Sequence, residues 1–260
     1  MSYGGVASIY GELVTMERYL IVNADDFGLS PSVNLGVIDA FHAGSVSSVT
    51  IMTNMSGFED AVEHIYTHSK LGIGMHFNLT YGSPINPPER VPSLVDEYGK
   101  FSSRLANKWT EGDILLELVS QWNRLLKVGL NPTHIDSHQH IQMYPTVYKQ
   151  MVTFAHTNQL YMRRTIFDPV MGMNHPKRTD YFIMDTYYEE DGLSRLEQYL
   201  RNLRPGVTEL MCHPGYVDSI VTATSEWTYV REMEHGVFTQ PIIKKLLNEL
   251  KIQLINFDDI

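Results

Sequence analysis

The order of hydrophobic patterns most constrains the fold of this chain, because strand-like and helix-like segments alternate along nearly its whole length. Short β-branched runs indicate buried parallel strands, and most are followed by an apolar pattern with the helical period. This order is typical of an α/β barrel or a doubly wound sheet. We predict about eight strands and about six or seven helices. A single-domain α/β fold, a distorted (β/α) barrel of the TIM type, fits best because such barrels commonly have about this length.

Turn and capping residues set the boundaries of the predicted elements. Strands are predicted over residues 20–22, 46–53, 72–80, 133–136, 160–164, 180–185, 207–212 and 252–257. Helices are predicted over residues 31–43, 56–69, 110–127, 144–159, 194–204 and 241–251. Ser56 and Glu59 form a capping box that is predicted to begin one helix, and Ser194 with Glu197 a second.

The chain composition excludes several classes of function. Hydrophobic residues make up 43% and charged residues 19% of the chain, which suits a well-packed soluble protein. The net charge of −10 and the lack of a dense basic cluster argue against nucleic-acid binding. Apolar runs fall short of the roughly 20 residues that a membrane span needs, so we also expect no membrane partner.

A single cysteine, Cys212, suits a reducing compartment, and we expect a cytoplasmic protein. Residues 1–15 lack the basic start and long apolar core of a secretory signal. We interpret them as an N-terminal extension to a domain that covers residues 16–260. The sequence allows a homodimer.

Two adjacent carboxylates, Asp25 and Asp26, follow the first predicted strand. Gly28 comes next as a turn, and Ser30 and Pro31 are a predicted N-cap and first helical residue. The pair therefore lies at the carboxyl end of a strand, where α/β folds place their chemistry. Side chains alternate along an extended chain, so one carboxylate can bind a cation while the other takes a proton.

A second polar cluster follows the strand at residues 133–136. His134, Asp136, His138 and His140 occupy alternate positions, so in an extended chain all four would face one site. Four ionisable side chains in phase are costly to bury without partners. Individual members such as His134 or His140 can still serve only to orient a neighbour.

These residues together predict a hydrolytic metal site. Asp26 and His76 can join the histidine cluster, and two imidazoles with one carboxylate leave coordination positions open for water. A bound metal lowers the pKa of that water and polarises a substrate carbonyl, which suits amide or ester hydrolysis. Asp25 is the candidate base, and His213, at the end of another predicted strand, is the candidate acid.

Several other residues are candidates for supporting roles. Arg163 or Arg164 can hold Asp25 ionised or contact substrate, and Asn78 and Tyr216 are candidates for polar substrate contacts. The chemistry-bearing residues fall at the carboxyl ends of predicted strands, which converge on one face of a barrel. The long loop at residues 81–108, rich in proline, is predicted to help form the site.

Four motifs carry a resemblance to a known family. They are VNADDFG, GMHFNLT, THIDSHQH with MYP two residues later, and MCHPGY, spread from about residue 18 to residue 216. In order and spacing they resemble the YdjC-like carbohydrate deacetylases. The resemblance implies a distorted (β/α) barrel related to the polysaccharide deacetylases. Gln142 departs from the pattern, because family members often have a histidine at that position.

The resemblance also implies site roles and a substrate class. One divalent metal ion, Mg²⁺ by family habit with Zn²⁺ or another transition metal as alternatives, is held by Asp26, His76 and His138. Asp25 is then the base and His213 the acid. The implied reaction removes the N-acetyl group from an N-acetylglucosamine unit of a small β-linked oligosaccharide, chitobiose-like and sometimes 6-phosphorylated.

Three alternatives stay open at this point. A metal-dependent phosphoesterase acting on a sugar phosphate can use the same ligands. A sugar-binding protein can keep the fold with an inactive site. A barrel can also hold a purely structural cation.

Overall fold

The computed structural model describes residues 17–168, 176–185, 191–225 and 228–260. The strands are β1 (Arg18–Phe27), β2 (Ser48–Ile51), β3 (Gly72–Phe77), β4 (His134–Ser137), β5 (Tyr161–Met162), β6 (Tyr181–Ile183), β7 (Gly206–Cys212) and β8 (Ile252–Leu254). The helices are α1 (Pro31–Ala43), α2 (Phe58–Thr67), α3 (Glu111–Lys127), α4 (Pro145–Thr157), α5 (Gly192–Arg201), α6 (Ser219–Thr224), α7 (Tyr229–Phe238) and α8 (Pro241–Glu249). The predicted extension, residues 1–15, lies outside the described residues.

The eight strands form one parallel sheet in the order β5-β4-β3-β2-β1-β7-β6, with β8 also paired to β1. β7 runs along β1 from Arg18 to Ala24, while β8 pairs with its first three residues and β2 with its last part. The sheet forms part of a barrel, so the predicted α/β fold with a distorted TIM-like barrel is confirmed. The central strand β1 is longer than predicted because these three pairings extend it.

A β-bulge interrupts β1 at the two aspartates. Ala24 pairs with Val49 and Phe27 with Ile51, so β1 has one residue more than β2 over this stretch. Asp26 has a φ of 63°, in the left-handed region that costs a non-glycine residue about 1–3 kcal/mol. Bulges of this kind redirect a side chain next to an active site.

The turn after β1 requires a glycine. Gly28 has a φ of 92°, and a Cβ atom there would lie 2.8 Å from the carbonyl oxygen of Met52. Ser30 then caps α1 by accepting a hydrogen bond from the backbone N–H of Val33, and Gly44 ends the helix in the left-handed conformation. The predicted boundaries of this helix are confirmed.

The two predicted capping boxes are wrong. α2 begins after Gly57, and Ser56 instead donates its hydroxyl to the carbonyl oxygen of Leu29 at 3.4 Å. α5 begins after Asp191, which places Ser194 inside the first turn of the helix. In both places the local motif is overridden, once by a tertiary contact and once by an earlier helix start.

The structure adds two helices that the sequence analysis did not predict, α6 and α7. The predicted loop at residues 81–108 contains two short 3₁₀ helices, Pro88–Arg90 and Ser103–Lys108. Among the described residues, no helix combines the length and apolar character that crossing a membrane requires.

Candidate active site

Side chains from three strands converge at the carboxyl edge of the sheet. Asp26 lies near the end of β1, His76 near the end of β3, and His138 directly after β4. Asp26 Oδ1 lies 3.0 Å from His76 Nε2 and 2.7 Å from His138 Nδ1. All three residues are buried, and one potential ligand atom from each lies within 4.8 Å of the others. One carboxylate and two imidazoles suit a divalent transition metal with open positions.

Asp136 holds the ring of His76 in place. The two residues are partners in the register of β3 and β4, and Asp136 Oδ1 lies 2.6 Å from His76 Nδ1. Thr50 donates its hydroxyl to Asp136 Oδ2 at 2.9 Å. A carboxylate that accepts the Nδ1 proton leaves the Nε2 lone pair of neutral His76 directed at the cluster. Asp136 is therefore placed to orient a ligand.

The chain leaves the extended conformation at His138. β4 ends at Ser137, and a 3₁₀ helix, His138–Met143, begins directly after it. Gln139 and His140 have φ values of 51° and 52°, again in the left-handed region. The predicted alternation of the cluster through His140 is therefore wrong beyond Ser137, because a tight turn replaces the strand.

The charges around the cluster fit a cation. Five buried carboxylates and two buried guanidinium groups lie in contact there: Asp25, Asp26, Asp136, Glu209, Glu234, Arg163 and Arg231. Burial by itself would lower the pKa of His76, but Asp136 and Asp26 outweigh it and raise the pKa to about 10. Nε2 of His138 is buried and has no hydrogen-bond partner among the described residues. A divalent cation fits a site where buried carboxylates outnumber guanidinium groups and where this nitrogen is unused.

Asp25 has a different set of partners from Asp26. Arg163 donates to both of its oxygens, from Nη1 at 2.6 Å and from Nη2 at 2.7 Å, and Asn23 Nδ2 donates at 2.9 Å. Burial by itself would raise the pKa of Asp25, but the charge of Arg163 outweighs it and holds the pKa well below its usual range. Asp25 is therefore an ionised carboxylate beside the cluster, able to accept a proton.

Of the two predicted arginines, only Arg163 faces the site. It follows β5, is buried, and also donates to Asp136 and, from Nε at 2.6 Å, to Glu209. Arg164 points elsewhere and donates to the carbonyl oxygen of Thr179 at 2.7 Å. Arg163 is thus placed to hold Asp25 ionised.

His213 follows β7 on the other side of Asp25. Its Nε2 lies 3.8 Å from Asp25 Oδ2, and its Nδ1 lies 3.7 Å from Glu234 Oε2. The backbone N–H of His213 also donates to Glu234. Burial by itself would lower the pKa of His213, but hydrogen bonding to Glu234 and the charges of Glu234 and Asp25 outweigh it and raise the pKa. The ring is therefore biased towards the protonated form that an acid needs.

The three potential metal ligands line one cleft of about 350 Å³ together with Asp25 and His213. Its walls are formed by Asp25, Asp26, His76, Tyr81, Ser103, Ser137, His138, Gln139, His140, His213, Ser225 and Arg231. The bulge in β1 places both aspartates on this cleft, although their neighbouring positions in an extended strand would direct them to opposite faces. The predicted loop at residues 81–108 contributes Tyr81 and Ser103.

Other predicted supporting residues lie behind the cleft. His134 is buried against Phe257 with ring centroids 3.9 Å apart, and its Nε2 lies 2.9 Å from Asn23 Oδ1. Asn78 is buried and holds the start of the 81–108 loop through the backbone of Tyr81. Both positions indicate a structural role.

Of the remaining predicted residues, some line the cleft and others lie outside it. His140 lines the cleft, and burial followed by the charge of Arg163 lowers its pKa to about 4. Tyr216 donates its hydroxyl to Asp39 at 2.7 Å and does not line the cleft. Gln142, where a family histidine is common, is buried and accepts a hydrogen bond from Ser137.

The sequence analysis missed two charged residues of α7 that complete the site. Arg231 donates to Asp26 Oδ2 at 2.5 Å, and Glu234 contacts His213. Arg231 and Glu234 are three residues apart, and with Phe238 they form a buried face of the helix. The sequence signal for this face is an arginine and a glutamate that share the helical period of an apolar residue.

Known proteins resemble this chain over most of its length. A sequence model of the family described as YdjC-like protein matches residues 19–249. The carbohydrate deacetylase of Geobacillus stearothermophilus is 39% identical over 251 residues, covering 93% of this chain and 98% of that protein. The chitooligosaccharide deacetylase of Yersinia enterocolitica is 36% identical over 256 residues, covering 94% of this chain and 100% of that protein.

Solved structures share the fold. A protein from Enterococcus faecalis V583, proposed to be a cellobiose-phosphate cleavage protein, is 30% identical with a TM-score of 0.83, covering 94% of this chain and 98% of its own. A family 4 carbohydrate esterase from Streptomyces lividans, solved with acetate, is 10% identical with a TM-score of 0.52, covering 92% and 93%. The second likeness extends to the fold only. With the family match and relatives above 35% identity, this chain belongs to the YdjC-like family of carbohydrate deacetylases.

Proposed function

We propose that this protein removes the acetyl group from an N-acetylglucosamine unit of a small β-linked oligosaccharide, by metal-dependent hydrolysis. One observation carries the proposal: Asp26, His76 and His138 meet in the same cleft as Asp25 and His213. The names of the relatives, carbohydrate deacetylase and chitooligosaccharide deacetylase, support the same class of reaction.

Asp26, His76 and His138 would hold one divalent cation. When bound, the cation supplies a Lewis acid that polarises the acetamide carbonyl and lowers the pKa of water. Two imidazole donors favour Zn²⁺ or another transition metal over Mg²⁺, because Mg²⁺ prefers oxygen ligands. Arg231 holds the second oxygen of Asp26 and so keeps the first directed at the two histidines.

Asp25 and His213 divide the proton transfers in this proposal. Asp25 accepts the proton of the attacking water, and Arg163 keeps it ionised and oriented for that step. Its low pKa makes it a weak base, so it needs water that has been made more acidic. His213 donates a proton to the departing amine nitrogen, and Glu234 favours its charged form beforehand.

A basic pocket beside the cleft favours a substrate that carries a phosphate group. This pocket, of about 310 Å³, shares Tyr81, Ser103 and Gln139 with the cleft and adds Lys100 and Arg104. Two cations there stand out in a chain with a net charge of −10. Charge-assisted hydrogen bonds from such groups suit phosphate oxygens. We therefore propose that a phosphorylated disaccharide, such as a 6-phosphate, is accepted alongside the neutral sugar.

Acetate release from N,N′-diacetylchitobiose tests the reaction. Protein stripped with a chelator should be inactive, and adding back Zn²⁺, Co²⁺ or Mg²⁺ separately should restore turnover to different degrees. The absence of acetate with every metal and a panel of N-acetylated sugars would overturn the proposal. Phosphate release from sugar phosphates, without acetate, would point to a phosphoesterase instead.

The phosphate pocket needs its own comparison. Lys100→Ala and Arg104→Ala should raise the KM for a 6-phosphorylated substrate and leave the KM for the neutral sugar unchanged. Lys108→Ala is the matched control, because Lys108 is exposed on the same segment and does not line the pocket. Equal effects on both substrates would remove the proposed role of this pocket.

A further inference from the structure

Two histidines meet on the surface where α1 and α2 end. His42 lies in the last turn of α1, and His68 is the residue that follows α2. Their Nε2 atoms lie 3.0 Å apart, with ring centroids 5.0 Å apart. We propose that this pair binds a divalent transition-metal cation through both Nε2 atoms, at a site separate from the Asp26 cluster.

A hydrogen bond at Nδ1 of His68 leaves its Nε2 available as a ligand. His68 Nδ1 lies 2.7 Å from the backbone carbonyl oxygen of His64, an acceptor that requires the hydrogen to be on Nδ1. Neutral His68 therefore directs a lone pair from Nε2 towards His42. The same contact, an Nδ1–H donating to a carbonyl, orients many metal-binding histidines.

His42 can also adopt the tautomer that has its hydrogen on Nδ1 and a lone pair on Nε2. Without a metal, its Nε2–H donates to His68 Nε2, which accounts for the short distance. His42 is exposed, so its Nδ1 is accessible to solvent. Moving the hydrogen to Nδ1, through solvent, leaves two lone pairs facing each other. A cation about 2.0–2.1 Å from each nitrogen, to one side of the line that joins them, then replaces the single shared proton.

The surrounding helices favour positive charge at this place. Each helix ends with unsatisfied carbonyl groups and a partial negative charge of about half an electron. α1 and α2 pack together, and both of their carboxyl ends lie at the pair. Imidazole nitrogens select Zn²⁺, Ni²⁺ or Cu²⁺ over Mg²⁺, and the exposed side of the pair leaves positions for water.

Titration with Cu²⁺ tests the pair on its own. Replacing His76 and His138 together by alanine removes both imidazole ligands of the cleft, so this variant should bind one Cu²⁺ at the surface pair. Adding His42→Ala should weaken that binding by about tenfold or more. His156→Ala is the matched control, because His156 is also exposed in the last turn of a helix, α4, and has no imidazole neighbour among the described residues. Equal Cu²⁺ affinity in the His42→Ala and His156→Ala variants would overturn the proposal.

A second measurement uses protein with the cleft intact. Zn²⁺ bound to the pair links the ends of α1 and α2 and stabilises the folded state. The increase in Tm on adding Zn²⁺ should therefore be smaller in His42→Ala than in His156→Ala, and equal increases would contradict the site. Neither experiment depends on deacetylase activity. A negative result in either one would therefore contradict the surface site and would not bear on the proposed function.

Discussion

The two aspartates of the cleft are neighbours in the chain, yet different side chains surround them. The metal half, Asp26 with His76 and His138, places one carboxylate between two imidazoles. In the proton half, Asp25 and His213 lie farther apart, with His213 Nε2 3.8 Å from Asp25 Oδ2. The first region gathers potential ligand atoms at one point, whereas the second holds the proposed base and the proposed acid.

The partners of each aspartate account for this difference. Arg163 occupies both oxygens of Asp25, so that carboxylate has little capacity left to bind a metal. Arg231 occupies only the outer oxygen of Asp26, so the inner oxygen stays directed at His76 and His138. The different roles proposed for these two adjacent aspartates therefore follow from the arginines that reach them.

The largest effect is expected from Asp26→Asn, which removes the charge of the metal half. Acetate release should fall to background, because the neutral amide is a poor ligand and the cation is lost. Metal content after gel filtration checks this, measured in a His42→Ala background so that the surface pair contributes nothing. A full equivalent of metal in the variant would contradict the proposal that Asp26 is a metal ligand.

Asp25→Asn should lower kcat for acetate release by about 10²–10⁴-fold, because it removes the proposed base. Metal content and sugar affinity should stay close to those of the native protein. Mass spectrometry of bound metal and calorimetry with the sugar check both. Loss of the metal would show that Asp25 belongs to the metal half, whereas unchanged turnover would indicate that Asp25 is not the base.

Asp136→Asn sharpens the comparison within the metal half. Metal affinity should fall by about 10–100-fold, because the carboxylate that orients His76 is lost. Competition with a chromogenic chelator measures the change. Asp39→Asn, at a partly exposed position outside the cleft, is the control. Equal affinities of the two variants would show that Asp136 has no role in orienting the ligand.

The smallest expected effect is on the pH dependence of Tm, through Glu209, which lies behind the proton half. Burial raises its pKa to about 7 from an ordinary value of 4.5, although Arg163 opposes the shift. Between these values the folded protein keeps a proton that the unfolded chain has lost, so this group lowers the free energy of unfolding as pH rises. In Glu209→Gln, the Tm of the metal-free protein should therefore fall less steeply from about pH 5 to pH 7.

Thermal melts at several pH values measure that slope. Glu232→Gln is the matched control, because Glu232 is an exposed glutamate on α7. Its slope should equal that of the native protein. A Glu209→Gln slope equal to that of the control would contradict a proton on Glu209 in the folded state.

Local features of the chain were predicted well. Ser30, Pro31 and Gly44 bound α1 as predicted, because a cap, a first-turn proline and a left-handed glycine act over a few residues. Ser56 was misread, because its hydroxyl bonds to Leu29 across a turn between elements. A capping motif is reliable only where no tertiary partner competes for the side chain.

The bulge in β1 was not predictable from the strand pattern. Residues 20–22 carry the apolar signal, and nothing in their period indicates an extra residue at Asp25 and Asp26. The bulge exists because β1 must keep its pairing with β2 on both sides of the aspartates. α7 was missed for a related reason, since Arg231 and Glu234 occupy its buried face and obscure the apolar period.

By itself the sequence determined the alternation of strands and helices and the placement of ionisable residues at strand ends, since both depend on short-range periodicity. Only the tertiary structure decided which partner each ionisable group has. Arg163 reaches Asp25 across 138 positions, and Arg231 reaches Asp26 across 205. No local pattern encodes such pairings, because they arise from the packing of whole elements against one sheet.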